Sequence, residues 1–236
     1  MLISIIIPVY NEEKTIVEIL NKINNLNIWK SDKYKNKYNK EIIVVNDGSS
    51  DRSEEILRNN QNLYTKFINN KKNYGKGHAV KEGLKSCTGS YVIFQDSDNE
   101  YDPDDYQKFI ECVEKFNCDF IVGSRFNYDK YIRSHNILNR MGNWIITFFF
   151  NIFYNATFSD IYCCYIFFKK DLIDINQIKS TGFEQHAEII CSLMKKSRKA
   201  YEVPVNYNGR TISDGKKIRF YHTFPILFQI VKSRFF

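Results

Sequence analysis

The sequence predicts an α/β protein with a mostly parallel sheet flanked by helices. Three observations carry this. Between Ile3 and Val122, short apolar runs that read as strands alternate with segments of helical periodicity. The strand runs are apolar at consecutive positions, as strands buried on both faces are. Polar clusters follow the runs' ends, at the rim where such sheets bind their ligands.

The elements follow in order. Ile3–Ile7 is a β-branched run ending at Pro8, and Asn11-Glu-Glu-Lys opens a helix whose apolar face holds Ile16, Leu20 and Ile23. The lysine-rich stretch from Asn25 to Lys40 reads as a surface loop. Glu41–Val45 is the second strand, and the turn Asn46-Asp-Gly-Ser-Ser-Asp leads into a helix over Arg52–Asn60. A weaker strand covers Thr65–Ile68. Asn73-Tyr-Gly-Lys-Gly-His-Ala then enters a helix running through Lys85. Tyr91–Phe94 is a buried strand, Pro103–Phe116 a helix, and Asp119–Val122 a further strand.

Composition narrows the class. Hydrophobic residues make up 43% of the 236, enough for a core, so wholesale disorder is excluded. The net charge of +7 suits an anionic partner. There is no groove-reading motif, and the aromatics cluster with apolar residues instead of interleaving with basic ones, so nucleic acid is not expected. The six cysteines form no CxxC pair and no zinc spacing, as expected of buried thiols in a reducing compartment. The N-terminal segment has no basic leader or small-residue cleavage site. It reads as the first strand, and the chain is expected on the cytosolic side.

Met141–Ser159 carries no charge and is rich in Phe, but Asn143, Asn151 and Asn155 fall close to one helical face. An amphipathic helix over residues 135–160, on a bilayer or in the core, fits better than a membrane span. Residues 218–236 mix Arg219, Lys232 and Arg234 with Phe, Tyr, Ile and Leu, again an interfacial composition. Residues 1–217 are expected to form the main domain.

The sharpest chemical signal follows the strand at Tyr91. Asp96 and Asp98 stand one residue apart, and Glu100 continues the alternation. Alternate residues of an extended chain point the same way, so the three carboxylates would converge past the strand's end. Like charges this close require a cation, and hard oxygen ligands suit Mg2+ or Mn2+ bound together with substrate phosphates. The competing reading is an acidic, solvated turn that caps a helix.

Several blocks then fall in a fixed order: Ile5-Ile-Ile-Pro-Val-Tyr-Asn-Glu-Glu, Val44-Val-Asn-Asp-Gly-Ser-Ser-Asp, Gly75-Lys-Gly-His-Ala, Asp96-Ser-Asp and Gly123-Ser-Arg-Phe. The series resembles the family-2 glycosyltransferases, with the GT-A (Rossmann-like) nucleotide-sugar fold. Arg140, Asp160, Gly182-Phe-Glu and Glu202-Val-Pro-Val-Asn-Tyr…Arg210…Gly215-Lys-Lys-Ile extend it towards polyprenyl-phosphate (dolichyl-phosphate type) sugar transferases.

The resemblance implies an inverting, metal-dependent enzyme that uses a UDP- or GDP-sugar. Pro8, Tyr10 and Glu12 would hold the base and ribose, and Asp47 would accept a hydrogen bond from the base. Lys76, between two glycines, would reach the base or the phosphates. Asp96 and Asp98, with Glu100 where relatives often have Gln, would hold the metal on the diphosphate. Arg125 and Arg140 match basic positions near the phosphates and the acceptor. Arg210, Lys216 and Lys217 match a basic loop that closes over the diphosphate. The acceptor would be a polyprenyl phosphate, which needs no general base, or a glycan hydroxyl, for which Glu184 or Glu188 is the candidate base with Asp160 behind them. His186, His78 and His222 read as ordinary surface histidines. Two departures stand out. Arg210-Thr-Ile-Ser-Asp-Gly-Lys-Lys differs from the relatives' Gly-x-Ser-Lys, leaving the phosphate contact open between Lys216 and Lys217. Many relatives also continue into transmembrane helices, so attachment here would be peripheral.

Overall fold

Continuous β-branched runs build the middle of the sheet. The structure, a computed structural model, describes residues 1–31, 33–126, 137–210 and 220–235. The strands are β1 (Leu2–Val9), β2 (Asn39–Asn46), β3 (Lys66–Asn69), β4 (Tyr91–Phe94), β5 (Phe120–Ser124), β6 (Ile166–Lys169) and β7 (Ala200–Pro204). They form one sheet in the order β3-β2-β1-β4-β6-β5-β7. β1 pairs parallel with β2 and β4, β2 with β3, and β5 with β7. Ile5, Ile6 and Ile7 on β1 are fully buried, as a central strand covered on both faces requires.

The helices are α1 (Ile16–Asn25), α2 (Ser53–Asn59), α3 (Lys76–Ser86), α4 (Tyr106–Phe116), α5 (Ile137–Tyr154), α6 (Gln185–Lys196) and α7 (Thr223–Phe235). α1 starts later than the sequence predicts because Asn11 takes a left-handed backbone (φ 53°), which no helix can include. Pro103–Asp105 forms a 3-10 turn ahead of α4, with the Asp102 carboxylate accepting from the Asp104 N–H.

β6 and β7 are not expected from the sequence. β6 runs antiparallel to both β4 and β5 and separates them. Its position has a consequence for the site. The C-terminal ends of the parallel strands share one edge of the sheet, and β6 enters from that edge, so the residues just before it (Tyr162–Tyr165) lie at the functional rim. The six cysteines are buried and free, as expected.

α5 and α7 pack against each other. α5 buries Gly142, Ile146, Thr147 and Phe150. Outward it presents Leu138, Met141, Trp144, Phe148 and Ile152, while α7 exposes Phe224, Phe228 and Phe235. Among the described residues no helix is long and apolar enough to cross a membrane.

After β2 the chain turns sharply at Gly48, whose φ is +64°. A Cβ there would lie 2.3 Å from the Lys72 backbone carbonyl carbon and 2.5 Å from its Cα. Gly48→Ala should therefore cost about 2 kcal/mol or more through backbone strain. In a thermal melt this should appear as a fall of about 4–8 °C.

Candidate active site

The end of β4 is fixed before the acids begin. Buried Gln95 accepts hydrogen bonds from the hydroxyls of Tyr106 and Tyr165, both at 2.7 Å, and donates to the Asp96 carbonyl at 2.9 Å. The Ser97 hydroxyl donates to the Pro8 carbonyl, and the Thr15 hydroxyl donates to the Ser97 carbonyl. The acidic loop is thus tied to the end of β1, which brings Glu12 beside it.

Two cations hold the carboxylates. The Lys76 ammonium, at the first residue of α3, meets Asp96 Oδ1 at 2.5 Å. The Arg210 guanidinium donates to both oxygens of Glu12 (Nη1 3.0 Å, Nη2 2.9 Å) and to Asp98 Oδ2 at 2.9 Å. Burial pushes Asp96 up, but the Lys76 charge and hydrogen bond outweigh it and hold the carboxyl below its ordinary value. Asp98 moves the other way: burial, then the charges of Asp96 and Glu100, push it up to about 7 against the pull of Arg210. Asp98 is thus the least compensated carboxylate of the cluster.

Glu100, expected as a third metal ligand, has both oxygens engaged. Oε2 accepts from the Tyr207 hydroxyl at 2.7 Å and Oε1 from the Arg210 backbone N–H at 2.6 Å. It anchors the 207–210 turn that delivers the guanidinium. Among the described residues no three His, Cys, Asp or Glu side chains are arranged to ligate one ion. Two adjacent hard carboxylates nevertheless fit Mg2+ or Mn2+, which take one or two protein carboxylates and fill the remaining positions with phosphates and water.

A cleft of 410 Å³ opens beside these acids. Pro8, Tyr10, Glu12, Asp47, Lys76, Asp96, Asp98, Glu100, Arg125 and Arg210 all line it. Asp47 is buried and accepts from the Gly75 N–H at 2.8 Å, the Tyr74 N–H at 3.2 Å and the Asn70 amide at 2.9 Å. It therefore holds the loop leading into α3. Half-buried Arg125 forms a two-pronged pair with Asp160 (2.7 and 2.8 Å), and its guanidinium lies 5.2 Å from the Tyr207 ring. Arg140 sits on the exposed first turn of α5 with its guanidinium 5.6 Å from the Phe126 ring, next to cleft-lining Asn139.

Other assignments are not brought into the cleft. Glu184 folds back to accept from the Gly182 N–H at 3.1 Å, and Glu188 accepts from the N–H groups of Lys179 and Ser180. Neither lines the cleft. Lys216 and Lys217 lie outside the described residues.

A model of Glycosyl transferase family 2 matches residues 4–175. The chain belongs to this family. A Methanocaldococcus jannaschii protein of uncharacterized function is 28% identical, covering 99% of this chain and 93% of the relative. The UDP-N-acetylglucosamine–dolichyl-phosphate N-acetylglucosaminyltransferase of Methanococcus voltae is 27% identical, covering 86% and 84%. Among solved structures, glucosyl-3-phosphoglycerate synthase from Mycobacterium tuberculosis, captured with Mn2+, UDP and glucosyl-3-phosphoglycerate, superposes with a TM-score of 0.66 at 14% identity, covering 98% of this chain and 79% of that one. The fold is thus the GT-A fold, and this family-2 chain is a glycosyltransferase.

The family-2 cleft also contains residues to which the sequence reading gave no role in it. Tyr162, Cys164, Phe183, Gln185, His186 and His222 all line it. His186, read as a helix-surface residue, turns inward, with Nε2 3.2 Å from the Ile161 carbonyl. Its signal was available only as a polar pair, Gln185-His186, opening a helix directly after Gly182-Phe183.

Burial and, next, the Lys76 charge hold the His186 imidazole down at about 4. An unfolded histidine protonates near pH 6.5. Between pH 6.5 and 4 the unfolded chain binds a proton that the folded chain refuses, so this contribution to stability is lost as pH falls through that window. Urea unfolding at pH 7.5 and pH 5 should show a larger loss for the wild type than for His186→Gln.

Proposed function

We propose that this glycosyltransferase moves a sugar from a UDP- or GDP-sugar to a polyprenyl phosphate, with inversion, at the cytosolic face of a membrane. One observation carries the reading. The two helices that wall the cleft through Asn139, Gly142, Asn143, Ile146, Thr223 and Ile226 also present the exposed aromatic surface of Trp144, Phe148, Phe224 and Phe228. A cleft walled in this way suits an acceptor with an anionic head and an apolar tail. Exposed Lys232 and Arg234 at the end of α7 complement anionic headgroups. The Methanococcus voltae relative, whose name specifies a UDP-sugar donor and dolichyl phosphate as acceptor, supports the same substrate classes.

In this reading Pro8, Tyr10 and Asp47 hold the nucleotide, and Glu12 positions Arg210. Asp98 and Asp96 would hold Mg2+ or Mn2+, which would supply positive charge for the leaving diphosphate. Lys76 and Arg210 add positive charge beside the same group. Lys216 and Lys217 belong to the basic stretch after Arg210. Arg125 and Arg140 serve the acceptor side. A phosphate oxygen of the acceptor attacks the anomeric carbon, the bond from that carbon to the diphosphate oxygen breaks, and the nucleoside diphosphate leaves with its electron pair from the opposite face. The acceptor is already anionic, so no proton needs removing. The positions of Glu184 and Glu188 away from the cleft agree with this.

The test is transfer of radiolabelled UDP- and GDP-sugars, with Mn2+, in vesicles containing polyprenyl phosphate. Label should pass into the organic phase, and Asp98→Ala should reduce it by roughly 100-fold or more. Label confined to water, or to a water-soluble glycan, contradicts the lipid acceptor.

A further inference from the structure

Gln185 opens α6 and is only 3% exposed. Its amide nitrogen is buried and has no hydrogen-bond partner among the described residues, yet the side chain lines the cleft. Leaving a buried N–H donor unmade costs about 1–3 kcal/mol. Such a group is retained where a ligand supplies the missing acceptor.

Its surroundings indicate the kind of acceptor. The glycines flanking Lys76 allow the loop before α6 to press onto α3. A Cβ on Gly75 would lie 2.6 Å from the Thr181 carbonyl oxygen, and one on Gly77 would lie 2.7 Å from the Gln185 Cβ. The His78 N–H donates to the Thr181 carbonyl at 3.2 Å and closes the junction. Gln185 is thereby held in register with Lys76 and its partner Asp96. Beside it stand His186 and Tyr162, their rings 5.1 Å apart and edge to face, with the Tyr162 hydroxyl donating to the Phe183 carbonyl at 2.9 Å. The imidazole is held neutral. A neutral amide, a neutral imidazole and an aromatic ring carry no charge for a phosphate; they match the hydroxyls and C–H faces of a sugar.

We infer that Gln185 is a specificity-determining residue whose amide donates a hydrogen bond to a hydroxyl of the transferred sugar, between Lys76–Asp96 on one side and Tyr162–His186 on the other. This rests on the reading of the cleft as a nucleotide-sugar site.

The test is isothermal titration, with Mn2+, of wild type and Gln185→Met against UDP, GDP, UDP-glucose, UDP-N-acetylglucosamine and GDP-mannose, alongside thermal melts without ligand. Methionine keeps the volume and removes the donor. The variant should bind the preferred nucleotide-sugar about 10-fold more weakly. It should keep its affinity for the bare nucleotide and melt at or above the wild-type temperature, because an unmade buried donor is gone. Gln185→Glu, which exchanges donor for acceptor, should weaken the same conjugate selectively. A lower melting temperature for Gln185→Met with unchanged conjugate affinity would mark a structural glutamine and overturn the inference. An equal loss for conjugate and bare nucleotide would overturn it too. If wild type binds bare nucleotide and conjugate and the variants preserve their ratio, the sugar contact alone fails. If wild type binds none of the five, the nucleotide-sugar reading fails with it.

Discussion

The Arg210 guanidinium, set among Glu12, Asp98 and Glu100, is the interaction on which the site's form depends. Its two-pronged hold on Glu12 and its bond to Asp98 draw the end of β1, the loop after β4 and the turn after β7 to one point. Glu100 returns the contact by binding the Arg210 backbone N–H and the Tyr207 hydroxyl. Without a cation there, three largely buried acids would face one another, and removing the partner of a buried charge is strongly destabilising. Arg210 and Lys76 together still leave four neighbouring carboxylates in excess of positive charge. Burial first, and then the neighbouring Asp96 and Glu100 charges, raise Asp98. In the proposed reading, a divalent cation held by these acids would offset that excess.

The same rim is shaped from the other side by helix packing. β6 is wedged antiparallel between β4 and β5, so the residues before it place Tyr162 and Cys164 in the cleft. α5 and α7 complete the wall while leaving Trp144, Phe148, Phe224 and Phe228 outward. Chemistry and apolar surface are therefore two faces of the same helix pair. That geometry suits a reaction joining a water-soluble donor to an acceptor with an apolar tail.

Much of this was legible in the chain. β1, β2 and β4 are read correctly because consecutive β-branched or aromatic residues leave no other economical burial. The acids at Asp96 and Asp98 are legible because like charges directly after a buried strand are costly unless they are used. The remainder depends on distance and direction. The Arg210–Glu12 pair is separated by 198 positions, beyond any local pattern. β7 ends at Pro204 and is largely half-buried, so it lacks the apolar signature of the central strands. The four-residue β6 follows Tyr162-Cys-Cys-Tyr, where the strand–helix alternation has already stopped. Glu184 and Glu188 looked like bases by position, yet each turns to a nearby backbone N–H, a choice made by the loop before α6. Gln185 and His186 face inward for the same reason.

The most direct test of the charge balance is thermal melting of Arg210→Gln with and without MnCl2, in the absence of nucleotide. Removal of the guanidinium should lower the melting temperature at pH 7.5. Mn2+ should restore most of the loss, while shifting the wild type little, because the ion takes over the vacated charge. A variant that melts like the wild type, or one that Mn2+ fails to rescue, would contradict a cation-dependent acid cluster at this rim.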